Sequence, residues 1–78
     1  MNMWLERENF LEREFVFKDF IEALAFVVKV GILAERLGHH PDIIIKYNRV
    51  LIRTTTHDEG NKITDKDRKL AELIDGMA

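Results

Sequence analysis

From Lys18 to Leu37 the chain is filled with strong helix formers and carries no proline, and then it stops abruptly. Gly38 suits the left-handed residue that closes a helix, and Pro41 prevents any helix from resuming. At 100° per residue, Lys18, Glu22, Lys29 and Arg36 fall within a stripe about 40° wide. Phe20, Ala23, Leu24, Phe26, Val27, Val28, Val30, Ala34 and Leu37 spread over most of the remainder. One sheet cannot cover so wide an apolar arc, so the helix needs a second cover, either another subunit or a later helix of the same chain. Glu35 interrupts the arc in the last turn, where the helix dipole disfavours negative charge. Its side chain therefore either escapes to water or is held by a hydrogen-bond partner.

The flanking segments alternate. Residues from Trp4 to Phe17 read as a hairpin turning near Asn9, with Leu11, Phe15 and Phe17 on one parity and Glu12 and Glu14 on the other. Asp42 to Thr56 reads as a second hairpin turning at Asn48 and Arg49. Ile43, Ile45, Tyr47, Val50, Ile52 and Thr54 then face the helices, while Ile44, Lys46, Leu51, Arg53, Thr55 and His57 face away unless a bulge intervenes. After a polar loop from Asp58 to Lys62, Thr64-Asp65-Lys66-Asp67 has the form of a capping box, opening a helix that runs to about Asp75, ahead of Gly76. The expected fold class is α+β: a four-stranded antiparallel sheet with two helices packed on one face, in the order β-β-α-β-β-α, forming a single domain over residues 1–78.

A chain of 78 residues buries only about 60–65% of the surface that its unfolded form exposes. With no cysteine, it has neither a disulfide nor a thiolate metal site, so oligomerisation is the expected supplement. Twelve basic and fourteen acidic residues, interspersed, give a net charge of −2 and no electrostatic footprint for nucleic acid or anionic lipid. The N-terminal residues lack the pattern of a signal peptide, and no apolar run approaches a membrane span; a cytoplasmic location follows.

The chemistry must come from three histidines, His39, His40 and His57. Glu35 and His39 have the i, i+4 spacing of metal ligands, but Gly38 and Pro41 break the helix there and adjacent histidines seldom point at one ion, so no metal is assigned. Serine and cysteine are absent, and Thr54 to Thr56 read as ordinary strand residues, which leaves no nucleophile. What remains is acid–base work by imidazoles, where one ring donates a proton and another accepts one, as loss of water requires.

Glu35, three residues, His39-His40-Pro41, five residues, Tyr47, nine residues, His57 and then Asp67 resembles the signature of the pterin-4a-carbinolamine dehydratases, also known as dimerisation cofactors of a homeodomain transcription factor. The likeness extends from about Leu11 to Asp75 and includes Phe17-Lys18-Asp19-Phe20, Glu22 to Phe26, Tyr47-Asn48, Thr56-His57, Leu70-Ala71 and Ile74-Asp75. The resemblance implies dehydration of 4a-hydroxytetrahydropterin to quinonoid dihydropterin, in tetrahydrobiopterin recycling, with no metal and no cofactor beyond the pterin substrate. His39, His40 and His57 are then the catalytic residues, with His40 and His57 as the reacting pair. Substrate contacts are expected at Glu35, Pro41, Asp67 and Trp4. Glu35 would orient a histidine or bind the pterin edge, and Asp67 is read first as the capping residue. Pro41 and Tyr47 read as scaffold, and Trp4 as a core anchor or a ring stacked on the ligand. The family's leading helix is absent from a chain that begins almost at Trp4, and the Asp58 to Lys62 loop is a residue longer than in relatives. The resemblance also implies a homodimer or homotetramer through the long helix and a sheet edge. Its alternative to catalysis is a binding module, a coactivator-like oligomer using the helix face around Phe26, Val27, Val30 and Ala34.

Overall fold

In a computed structural model that describes residues 3–78, the order is β1 (Leu5–Arg7), β2 (Phe10–Val16), α1 (Phe20–Leu37), β3 (Asp42–Lys46), β4 (Arg49–Thr54) and α2 (Asp65–Met77). A single 3₁₀ turn, His57–Glu59, lies between β4 and α2. The four strands make one antiparallel sheet in the spatial order β1-β2-β4-β3, so the expected ββαββα architecture holds. The core joins Phe15 of β2, Val50 and Ile52 of β4, Ala23, Phe26 and Val30 of α1, and Leu70 and Ile74 of α2. Both helices thus meet the same sheet face. Burying each of the larger side chains contributes about 1.5–3 kcal/mol.

The turns depart from expectation in one place. In the first hairpin Glu8 and Asn9, at φ 53° and 68°, form the two-residue connection between Arg7 and Phe10. In the second, Lys46 pairs with Arg49, so the turn is Tyr47-Asn48, one residue earlier than the alternation suggested. Tyr47 leaves the inner face, takes φ 48° and is exposed. Asn48 explains the shift, because its amide donates to the Phe17 carbonyl at 2.9 Å while its own carbonyl accepts from Phe17 N–H at 2.8 Å. The turn is fixed by the β2–α1 junction and not by the strand pattern.

Helix α1 begins two residues later than its composition suggests, because Asp19 is the N-cap and accepts from Glu22 N–H at 2.9 Å. Its buried residues Ala23, Phe26, Val30 and Ala34 form one stripe against the sheet. The face expected to be free for a partner is therefore largely the core face. Phe20, Ile21, Leu24, Val28, Ile32 and Leu37 are the large apolar residues of α1 left exposed, with Ile21, Leu24, Val28 and Ile32 in a second stripe. Helix α2 has the capping box in full, with Thr64 as N-cap and Asp67 at the third position, and it continues through Gly76 to Met77. No helix among the described residues is long and apolar enough to cross a membrane.

Candidate active site

The two adjacent histidines are separated by the way α1 ends. Gly38, at φ 63°, donates to the Glu35 carbonyl at 3.2 Å and His39 N–H donates to the Ala34 carbonyl at 3.1 Å, the paired bonds of a Schellman motif. The chain reverses there. His39 turns inward, and its Nε2–H donates to Asp67 Oδ1 at 2.5 Å. His40 turns outward, and its Nε2–H donates to Glu35 Oε1 at 2.8 Å. The two pairs differ in setting: the Asp67 side chain is 0% exposed and that of Glu35 is 80% exposed.

His57 arrives from the other direction. Strand β4 ends at Thr54, earlier than alternation through His57 required, and Thr56 N–H donates to the Lys62 carbonyl at 2.9 Å. The Thr56 carbonyl accepts from the N–H groups of Glu59, Asn61 and Lys62, and the loop curls into the 3₁₀ turn that carries His57. His57 Nδ1 lies 2.8 Å from Asn61 Oδ1, an oxygen that only accepts, so Nδ1 carries the proton.

One cleft of about 270 Å³ is lined by His39, His40 and His57, together with Thr55, Asp58 and Lys66. A neighbouring cleft of about 370 Å³, against Leu37 and Lys69, shares Gly38, His39 and Lys66 with it. Each imidazole spends one nitrogen on a fixed protein acceptor, which leaves Nδ1 of His39, Nδ1 of His40 and Nε2 of His57 for anything in the cleft. Two rings have carboxylate partners and one has an amide, so the three are chemically unequal. Positive charge on His39 would meet a buried carboxylate, whereas charge on His40 would meet one in open solvent, where the interaction is weak.

Asp67 sits behind the cleft. Its Oδ1 accepts from His39 Nε2–H and from the Thr54 hydroxyl at 2.6 Å, and its Oδ2 accepts from the Thr56 hydroxyl at 2.8 Å and Thr64 N–H at 2.9 Å. Burial pushes this carboxyl up, but the hydrogen bonds from His39, Thr54, the Thr64 backbone and Thr56 outweigh it and hold it below 3.8, the ordinary aspartate value. Capping and histidine contact are thus both made by this one carboxylate.

The other expected contacts lie elsewhere. Glu35 acts on His40 and does not line the cleft; Pro41 sets the exit into β3 and does not line it either. Trp4 stands edge-on to Phe15, with ring centroids 6.0 Å apart, and donates Nε1–H to Asp75 at 2.8 Å. It borders a separate cleft with Leu11, Arg68 and Asp75. Sequence reasoning passed over Thr54, Thr56, Asn61, Asp58 and Lys66. A usable signal was there for the first two, because polar residues continue the inner column Val50, Ile52 where an apolar residue would otherwise stand. Among the described residues, no group of three or more histidine or acidic side chains could hold a metal ion.

Comparison with known proteins agrees over nearly the whole length. The family model for pterin 4 alpha carbinolamine dehydratase matches residues 1–77. The chain is 47% identical over 77 residues to "Putative pterin-4-alpha-carbinolamine dehydratase" of Sulfurisphaera tokodaii, covering 99% of this chain and 82% of that one. The crystal structure of a transcriptional coactivator/pterin dehydratase from Brucella melitensis superimposes with a TM-score of 0.87 at 35% identity, covering 99% of this chain and 81% of the other. A pterin dehydratase-like protein identified as a RuBisCO assembly factor in the alpha-carboxysome shares the fold, with a TM-score of 0.81 at 24% identity, over 96% of this chain and 88% of that one. On the full-length match and these identities, the chain belongs to the pterin-4a-carbinolamine dehydratase family, a family of hydro-lyases.

Proposed function

We propose that this protein dehydrates 4a-hydroxytetrahydropterin to quinonoid dihydropterin by histidine acid–base catalysis, as a cytoplasmic step in tetrahydrobiopterin recycling. The single observation that carries the reading is the cleft shared by three imidazoles, each with one nitrogen uncommitted. The C4a–O bond breaks as its oxygen takes a proton and departs as water; the N5–H proton goes to a base, and the C4a=N5 double bond forms. Nε2 of His57, fixed as an acceptor by Asn61, takes the N5 proton. Nδ1 of His39, in place of the expected His40, protonates the leaving hydroxyl, because the charge it carries is balanced by buried Asp67 and that on His40 only by exposed Glu35. His40, oriented by Glu35, holds the exposed rim of the pterin. General acid–base catalysis contributes about 10² to 10⁴ in rate, a sufficient demand for this elimination.

The test is to generate the 4a-hydroxypterin and follow its decay by absorbance. The His39→Ala, His57→Ala pair should fall to the uncatalysed rate. Equal rates for that variant and wild type would end the enzyme reading.

The exposed stripe Ile21, Leu24, Val28 and Ile32 favours a second, compatible role as an oligomer that also docks a partner protein. Assembly as a homodimer or homotetramer would use the free edges of β1 and β3 and compete with the partner for this stripe. That the similar Brucella melitensis protein is described as a transcriptional coactivator/pterin dehydratase supports this reading. A Val28→Glu variant that keeps full turnover but loses a partner captured by wild type would establish it, and the absence of any partner would remove it.

A further inference from the structure

An ionised carboxylate offers about four acceptor sites, and all four on Asp67 are taken by donors: His39 Nε2–H, the Thr54 and Thr56 hydroxyls, and Thr64 N–H. The directions are forced. Thr56 has one hydroxyl proton and gives it to Asp67, so the 2.7 Å contact between the Thr56 and Thr64 hydroxyls must be donated by Thr64. Thr64 Oγ1 in turn accepts Lys66 N–H at 3.3 Å. The chain Lys66 N–H, Thr64, Thr56, Asp67 therefore runs one way. A proton on Asp67 would displace one of these donors inside a site that is 0% exposed.

We infer that Thr54, Thr56 and Thr64 are positioning residues for the dehydration: they hold Asp67 as an anion committed to Nε2–H of His39, so that only Nδ1 of that ring exchanges protons with substrate. This rests on the acid–base reading of the cleft. Thr54 and Thr56 continue the inner face of β4, Thr64 begins α2 and His39 follows α1, so three elements must be docked before the ring is set. The other charged or titratable groups beside His39 are His40 from the end of α1, His57 and Asp58 from the 3₁₀ turn, and Asp65, Lys66 and Lys69 from α2. Each of these is exposed to solvent, which screens it, and none touches the Asp67 carboxylate.

The experiment uses the intact protein and reads ring nitrogens by NMR alongside turnover. In wild type, titration should move the Nδ1 resonance of His39 while Nε2 stays protonated, and the Asp67 carboxyl carbon should remain that of an anion down to below pH 3.8. Uptake of a proton by Asp67 at or above that value overturns the inference without any variant. Thr54→Val keeps the branched shape, removes one donor and should loosen the hold on Asp67, so that the neutral His39 ring no longer keeps its proton on Nε2 alone. It should lower kcat roughly tenfold to a hundredfold, within what acid–base catalysis supplies, with KM little changed, and Thr54→Ser should restore both. A folded Thr54→Val protein whose neutral His39 still carries its proton on Nε2 alone overturns the inference. A tautomer that changes while kcat stays constant also overturns it, because the threonines then position nothing that the dehydration uses.

Discussion

Asp67 does at residue scale what usually takes two residues. It closes the capping box of α2 and anchors His39, and its lowered pKa ties both duties to pH. The folded value is depressed, so the stabilisation is complete above the ordinary aspartate pKa of 3.8 and is lost as pH falls through the lower folded value. Thermal melts between neutral and strongly acid pH should show a steep loss below pH 3.8 in wild type and a shallower one in Asp67→Asn. That variant presents an amide to donors already in place and should cost about 3 kcal/mol in urea unfolding at neutral pH. Identical acid limbs would contradict this. For His57, Asn61→Ala removes one orienting bond worth about 1 kcal/mol, or roughly fivefold in rate. A larger effect on KM than on kcat would argue that Asn61 contacts substrate instead. The histidines were legible in the sequence because the chain holds only three; Thr54 and Thr56 were readable as polar groups on the inner column, but their partner was not, because a strand threonine reads the same whichever element supplies the acceptor.

At the scale of elements, the ends decide the site. The left-handed Gly38 makes His39 and His40 diverge, so Gly38→Ala should cost roughly 1–2 kcal/mol and lower turnover together with stability, which paired melts and kinetics would show. Loss of stability with unchanged turnover would mean that the helix end does not set the rings. Helix existence was readable from composition, and the stop signals Gly38 and Pro41 were readable as chemistry. The failures were positional. Alternation puts Tyr47 in a strand because it cannot see Asn48 bonding to Phe17 across the fold, and Gly76 reads as an end although α2 passes through it. His57 was assigned by strand parity, which ceased to apply once β4 ended at Thr54.

The whole molecule has a small core and an apolar stripe outside it. Ile21, Leu24, Val28 and Ile32 stay exposed after α2 has packed against α1, so the same-chain cover that the wheel allowed is insufficient. Sedimentation should find an oligomer, and Ile32→Glu should shift it toward monomer with a lower melting temperature; a monomeric wild type would contradict this. The fold class was legible because the segments carry distinct periods, whereas the exposed face of α1 was not, because a wheel does not say which side the sheet takes. Dehydration in this cleft requires a pterin lying among three rings. A crystal soaked with a dihydropterin tests that most directly: bicyclic density between His39, His40 and His57, within hydrogen-bond reach of His39 Nδ1 and His57 Nε2, is the predicted result, and a pterin bound elsewhere with that cleft holding only solvent would contradict it.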